Sequence, residues 1–177
     1  ALGGTIEALR SITVDAGVDV LAFGGTKHGM LYGEAVVFLD ASLATGASYL
    51  QKQVTQLPSK MRFISSQFEA VLSDGLWLRT AAHANEMAHT LAASVATIES
   101  LGCATPQANS LYPVLPRRAA DALQAWSFFY PWNASTNQYR WMTAWDTSPD
   151  DVSRFAAGVR NALGQEDRKS TRLNSSH

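Results

Sequence analysis

The sequence predicts an α/β protein, and three observations carry that expectation. Two short runs rich in Val and Phe, Val18 to Phe23 and Ala35 to Leu39, flank a glycine-rich turn and read as buried strands. From Asp40 onward apolar residues recur every three or four positions, the period of a helix. After residue 102, strand-like and helix-like stretches alternate, as in layered α/β domains.

Taken in order, Thr5 to Val14 predicts a short helix, with Ile6, Leu9 and Ile12 on one side and Thr5 as its N-cap. Asp15-Ala16-Gly17 ends it, and the first strand follows. Between the two strands lies Phe23-Gly24-Gly25-Thr26-Lys27-His28-Gly29. A helix over Ser42 to Gln56 carries Leu43, Ala47, Leu50 and Val54 inward, until Pro58 interrupts it. A second helix is expected from Lys60 to Leu72. Asp74-Gly75 turns the chain into the longest helical pattern, Leu76 to Leu101, whose alanines suit close packing.

Ser110 to Leu115 reads as a strand, and Pro116 to Trp126 as a helix with Pro in its first turn, where a missing N–H costs little. Gln138 to Trp145 is expected as a strand, with Tyr139, Trp141 and Thr143 on one face and Arg140, Met142 and Ala144 on the other. Ser148-Pro149 opens a last helix through Leu163, burying Val152, Phe155, Ala156 and Val159. Most aromatic residues of this region are expected in the core. The chain thus divides into residues 1–57, the end of a larger sheet-bearing domain, 58–101, linking helices, and 102–166, a small α/β domain. The final residues 167–177, DRKSTRLNSSH, resemble the in-frame translation of a sequencing-library adapter and are set aside as non-native.

Composition narrows the function classes. The 177 residues suffice for a sizeable core, with 46% hydrophobic and 16% charged residues. A net charge of −1 without a basic stripe gives no footing for nucleic acid. No apolar run reaches the roughly 20 residues needed to cross a membrane, and no signal peptide opens the chain. The single Cys103 allows no internal disulfide and suits a reducing compartment. Because residue 1 is Ala and not Met, the start of the protein is expected upstream.

Two side chains carry chemistry. Lys27 stands among glycines, which let a backbone approach a bound group closely. Held in such a turn and desolvated, its amine would move toward the pKa a nucleophile needs; on a surface hairpin it would simply point into water. The spacing is not that of a phosphate-binding P-loop, since Thr precedes the Lys and no Gly stands directly before it. Arg140 lies mid-strand among aromatics, where an unpaired guanidinium is costly to bury. Its planar fork suits a carboxylate, either of a ligand or in an ion pair with Asp146 or Glu34. His83 and His89 flank Glu86 at three residues each, but six residues apart on one helix they face different ways. No metal is expected, and a solvated or interfacial helix face accounts for both.

The stretch DVLAFGGTKHGMLYGEAVVFLD, Asp19 to Asp40, resembles the cofactor-lysine segment of the low-specificity threonine aldolases. SKMRFISSQFEAVL, LWLRTAAHAN and YRWMTAWDT match further on and in order, so that the resemblance covers about residues 1–163. It implies the pyridoxal phosphate (PLP) transferase fold of type I, with residues 1–57 ending the PLP-binding large domain and the small C-terminal domain following. The chain would then be a C-terminal fragment whose upstream cofactor-binding residues are missing. Lys27 would hold PLP as a Schiff base. Thr26 would give a hydroxyl to the phosphate or merely cap the turn, and Arg62 would reach the phosphate from a neighbouring subunit or lie on a solvated helix face. Arg140 would bind the substrate α-carboxylate. His28 departs from the family, which more often has Asn there. The implied activity is cleavage of L-threonine and related β-hydroxy-α-amino acids to glycine and an aldehyde, by a cytoplasmic homo-oligomer, a dimer or tetramer. The alternatives are another fold-type-I PLP enzyme, a β-eliminating lyase or aminotransferase, or a non-catalytic fragment that binds no cofactor.

Overall fold

Apolar residues that can pair across a hairpin or stack along a helix decide the elements that form. The structure, a computed structural model, describes the backbone of residues 4–174 and the side chains of residues 4–164. It separates into two units between residues 82 and 83, a division that falls inside one long helix.

The first unit opens with α1 (Ile6–Ile12), capped as expected by Thr5, whose hydroxyl accepts from the Ala8 N–H at 3.1 Å. Strands β1 (Val20–Gly24) and β2 (Glu34–Phe38) form an antiparallel hairpin, in register from Val20↔Phe38 to Gly24↔Glu34. They are not the buried strands that their composition suggests: Val20, Val36 and Val37 are all exposed. The described sheet has two strands only, and such a hairpin cannot cover both of its faces.

The helix expected over Ser42 to Gln56 is split. Asp40 caps a short 3-10 turn, Ala41–Ala44, and α2 spans only Ala47–Gln53. Gly46, at φ 79°, holds the break in a conformation that an L-residue rarely adopts. Helix α3 (Arg62–Leu72) follows, and α4 spans Leu76–Val95. The longest described helix is not α4, which stops short of Leu101. The chain instead curls through Ile98 N–H to Val95 O and Leu101 N–H to Ile98 O, which brings Leu101 to the same core without a helix.

The second unit has the real core. Strands β3 (Ser110–Leu111), β4 (Tyr130–Asn133) and β5 (Gln138–Met142) form an antiparallel sheet in the order β3-β5-β4. The part of α4 from His83 and two further helices, α5 (Arg117–Gln124) and α6 (Pro149–Asn174), complete the unit. Leu91, Val95, Leu111, Leu115, Leu123, Phe129, Trp141, Val152 and Val159 form one buried cluster. The alternation expected on β5 holds, with Tyr139, Trp141 and Thr143 buried on one face. The expected strand Ser110 to Leu115 is cut to two residues because Pro113 has no N–H for a ladder.

Strand β4 was not expected at all, and half of the aromatics of this region are not core: Trp126, Phe128, Tyr130, Trp132 and Trp145 are exposed. Helix α6 buries Val152, Ala156 and Val159 as the spacing requires, with Phe155 partly buried, yet it passes Leu163 and runs to Asn174. Gly164 is followed by Gln, Glu, Asp, Arg and Lys, which favour continuation far more than a break. The side chains of the presumed non-native tail, residues 167–177, lie outside the described ones.

Candidate active site

The Lys27 turn is built from backbone hydrogen bonds and glycine geometry. The Gly25 N–H donates to Gly33 O at 2.9 Å and closes the hairpin. The His28 and Met30 N–H groups both donate to Gly25 O, at 2.9 and 3.3 Å, winding Thr26–His28 into a single 3-10 turn. Gly29 leaves it at φ 91°. Gly25 has no room for a side chain, since a Cβ there would lie 2.1 Å from the Met30 sulfur. Met30 is buried beneath the turn, and the next residue is pinned as well: Gln67 Oε1 on α3 accepts from the Leu31 N–H at 2.8 Å.

This scaffold fixes the path of the backbone and leaves the functional groups open. Lys27 and Thr26 are both exposed, so the desolvated amine that the glycines suggested is not what the described chain presents. The physical reason is the hairpin itself, which has no third strand beside it among the described residues. His28 has a structural task. Its ring stacks on Phe23 at 5.4 Å and meets Trp77 edge-on at 6.4 Å, anchoring the turn to an aromatic cluster that includes Phe68. Arg62 begins α3 on the surface, with its guanidinium over the Phe63 ring at 4.8 Å and no ion-pair partner among the described residues.

In the second unit, Arg140 occupies the outward face of β5, the central strand, opposite Tyr130. It is half-buried and makes no ion pair with Asp146. Its Nε is fully buried and has no hydrogen-bond partner among the described residues. The guanidinium instead lies over the Trp132 ring, 5.6 Å from its centroid. A buried cationic donor without an acceptor is costly, and the contact with the indole face is the only compensation the described residues give it.

His83 does not sit on a purely solvated face. It is half-buried, and its Nε2 lies 2.8 Å from Thr147 O, while His89 is exposed. Nearby, the buried Thr143 hydroxyl donates to Ala84 O at 2.6 Å, so the end of β5 is tied to α4 at two points. Reading the sequence had singled out Lys27, Thr26, Arg62 and Arg140. It missed Met30, Gln67 and Trp132. The one available signal for Trp132 was the aromatic alternation Tyr130-Pro131-Trp132 before the Asn133 to Asn137 turn.

No protein-family model matches the chain. It is 43% identical over 155 residues to a low specificity L-threonine aldolase of Pseudomonas sp., covering 86% of this chain and 44% of that protein. It is 41% identical over 150 residues to a low specificity L-threonine aldolase of Pseudomonas aeruginosa, covering 84% of this chain and 43% of that one. Among solved structures, a threonine aldolase of Leishmania major superposes with a TM-score of 0.73 at 29% identity, over 84% of this chain and 44% of the other. Across the matched stretch the chain is homologous to the low specificity L-threonine aldolases and shares the α/β, fold-type-I architecture of a threonine aldolase, spanning somewhat under half their length.

Proposed function

We propose that this chain carries part of the site of a PLP-dependent carbon–carbon lyase that cleaves L-threonine and related β-hydroxy-α-amino acids to glycine and an aldehyde. The observation that carries the reading is the 41–43% identity, over most of the chain, to two curated low specificity L-threonine aldolases. The chain's own groups fit the cofactor. A phosphorylated aldehyde needs an accessible amine and donors for its phosphate. Lys27 and Thr26 are adjacent and exposed on a fixed turn, and Arg62, exposed at the start of α3 with no ion-pair partner among the described residues, would reach the phosphate of a neighbouring subunit. PLP bound there would supply an electron sink for the pair left at the substrate Cα when the Cα–Cβ bond breaks.

In this reading Lys27 holds the cofactor covalently, Thr26 donates its hydroxyl hydrogen to the phosphate, and Arg62 neutralises phosphate charge. Arg140 donates two N–H groups to the α-carboxylate and so fixes which end of the substrate faces the chemistry. Apolar side chains left in water within residues 4–82, such as Leu31 at 83% and Tyr49 at 81% exposure, support action as a homo-oligomer. Among the described residues no helix is long and apolar enough to cross a membrane, and a cytoplasmic location is part of the proposal. The hairpin behind Lys27, two strands only among the described residues, favours a second reading for the isolated chain, in which it binds no cofactor at all.

An absorbance titration of the chain with PLP separates the two. The expected result is a protein-linked band that Lys27→Ala lacks, with borohydride reduction trapping PLP on the peptide containing Lys27. Acetaldehyde release from L-threonine is the activity assay. Equal labelling of wild type and Lys27→Ala, or none in either, would overturn the assignment of Lys27 in this chain.

A further inference from the structure

We propose that Trp132 is a positioning residue for Arg140, holding its guanidinium through the indole face so that the N–H fork stays free for a carboxylate. The proposal rests on the reading of Arg140 as the carboxylate-binding group.

The register of the sheet carries it. Tyr130 pairs with Arg140 and Pro131 with Tyr139, but the next pair is Asn133 with Gln138. Trp132 is therefore an extra residue with no partner across the ladder. Inserting one residue bends a strand and re-aims its side chain. Here the indole comes to lie beside Arg140, with the guanidinium carbon 5.6 Å from the ring centroid. That is within the roughly 6 Å over which a cation is attracted to an aromatic face.

The indole is braced in turn. Tyr112, just after β3, meets Trp132 edge-to-face at 5.0 Å. Gln138 donates its side-chain N–H to Tyr112 O at 3.3 Å, which ties that tyrosine to β5. Tyr112 after β3, Trp132 on β4 and Arg140 on β5 thus form a stack with Arg140 at its end.

The chemistry of the clamp explains why an aromatic stands here and not an acid. A carboxylate partner would fix the guanidinium equally well but would occupy the fork. A π face attracts the same cation and consumes no N–H. Arg140 has no ion pair among the described residues, so its terminal N–H groups remain available to a substrate.

The test uses the full chain and the Arg140 Nε–H resonance in a 15N–1H NMR correlation, assigned by its loss in Arg140→Lys. Trp132→Leu should move this resonance toward that of a free arginine and reduce its order, while Trp132→Phe should keep most of both. Trp132 is 56% exposed, so neither change empties the core. With glycine as probe, Trp132→Leu should weaken binding roughly three- to tenfold, the range of a cation–π contact. Trp132→Phe should recover most of that loss. An unmoved Arg140 resonance in Trp132→Leu would overturn the clamp. So would unchanged glycine binding in Trp132→Leu when Arg140→Lys weakens it, leaving the role of Arg140 intact. Glycine binding indifferent to Arg140→Lys would instead remove the Arg140 reading and this proposal with it.

Discussion

Ser148 and Asp151 exchange hydrogen bonds at the start of α6, and this reciprocal cap is the part of the chain where residue identity dictates structure most directly. The Ser148 hydroxyl accepts from the Asp151 N–H at 3.1 Å, while the Asp151 carboxylate accepts from the Ser148 N–H at 3.1 Å and from its hydroxyl at 2.6 Å. Pro149, at the first helical position, gives up an N–H that the helix does not use. These donors hold the Asp151 carboxyl below the usual aspartate range, with the Ser148 hydroxyl the largest cause. A lowered folded-state value means that the cap stabilises α6 at neutral pH and above the ordinary aspartate value of about 4, and that its contribution is lost as pH falls through the lowered value. Ser148→Ala should therefore raise the Asp151 midpoint toward the ordinary range in a carboxyl-carbon NMR titration. A midpoint that stays put would show that the serine is not its cause.

Elements form where local rules and tertiary contacts agree, and the Lys27 turn shows how narrow that agreement is. Gly25 lies at φ −90°, open to any residue, so its need for glycine comes wholly from Met30 beneath it. Gly25→Ala should push Met30 from its site and lower the hydrogen-exchange protection of the His28 amide about fivefold or more, as overpacking by about 1–3 kcal/mol implies. Met30→Ala in the same chain should restore part of that protection. Losses that simply add in the double variant would mean that the two residues do not compete for one space. The glycines flagged the turn in the sequence, but nothing local said that a methionine three residues past Lys27 would fill it. Strand β4 stayed hidden for a similar reason, since Pro131 within four residues argues against a strand until an edge position makes it harmless. The break at Gly46 was legible in principle, whereas the end of α4 at Val95 was set by the turn that carries Leu101 into the core.

For the whole molecule, the two units differ in how much apolar surface they bury. Residues of the second unit share one closed core, with Leu123 at 1% exposure. In the first, the buried apolar side chains are few, Met30 and Val71 foremost, and Leu50 stands at 58%. Leu123→Ala should cost about 2–5 kcal/mol in urea unfolding followed by tryptophan fluorescence, from lost burial and the cavity left behind. Leu50→Ala should fall within about 0.5 kcal/mol of wild type, as for other surface positions. Comparable losses at both sites would mean that Leu50 is covered in solution, as association through the first unit would require.

The local grammar of this protein is written in its amino-acid sequence. It specified a glycine turn bearing Lys27, a β5 whose alternate residues are buried, a serine-proline start to α6, and enough matching residues to identify its relatives. Those features depend on neighbours a few positions away, where periodicity and turn chemistry act directly. The three-dimensional packing is what leaves Lys27 exposed and sets His28 on Phe23 and Trp77. It alone placed Arg140 against a bulged tryptophan from another strand, with no ion-pair partner among the described residues. Strand register and packing between distant residues fix such outcomes, and a linear pattern does not carry that information.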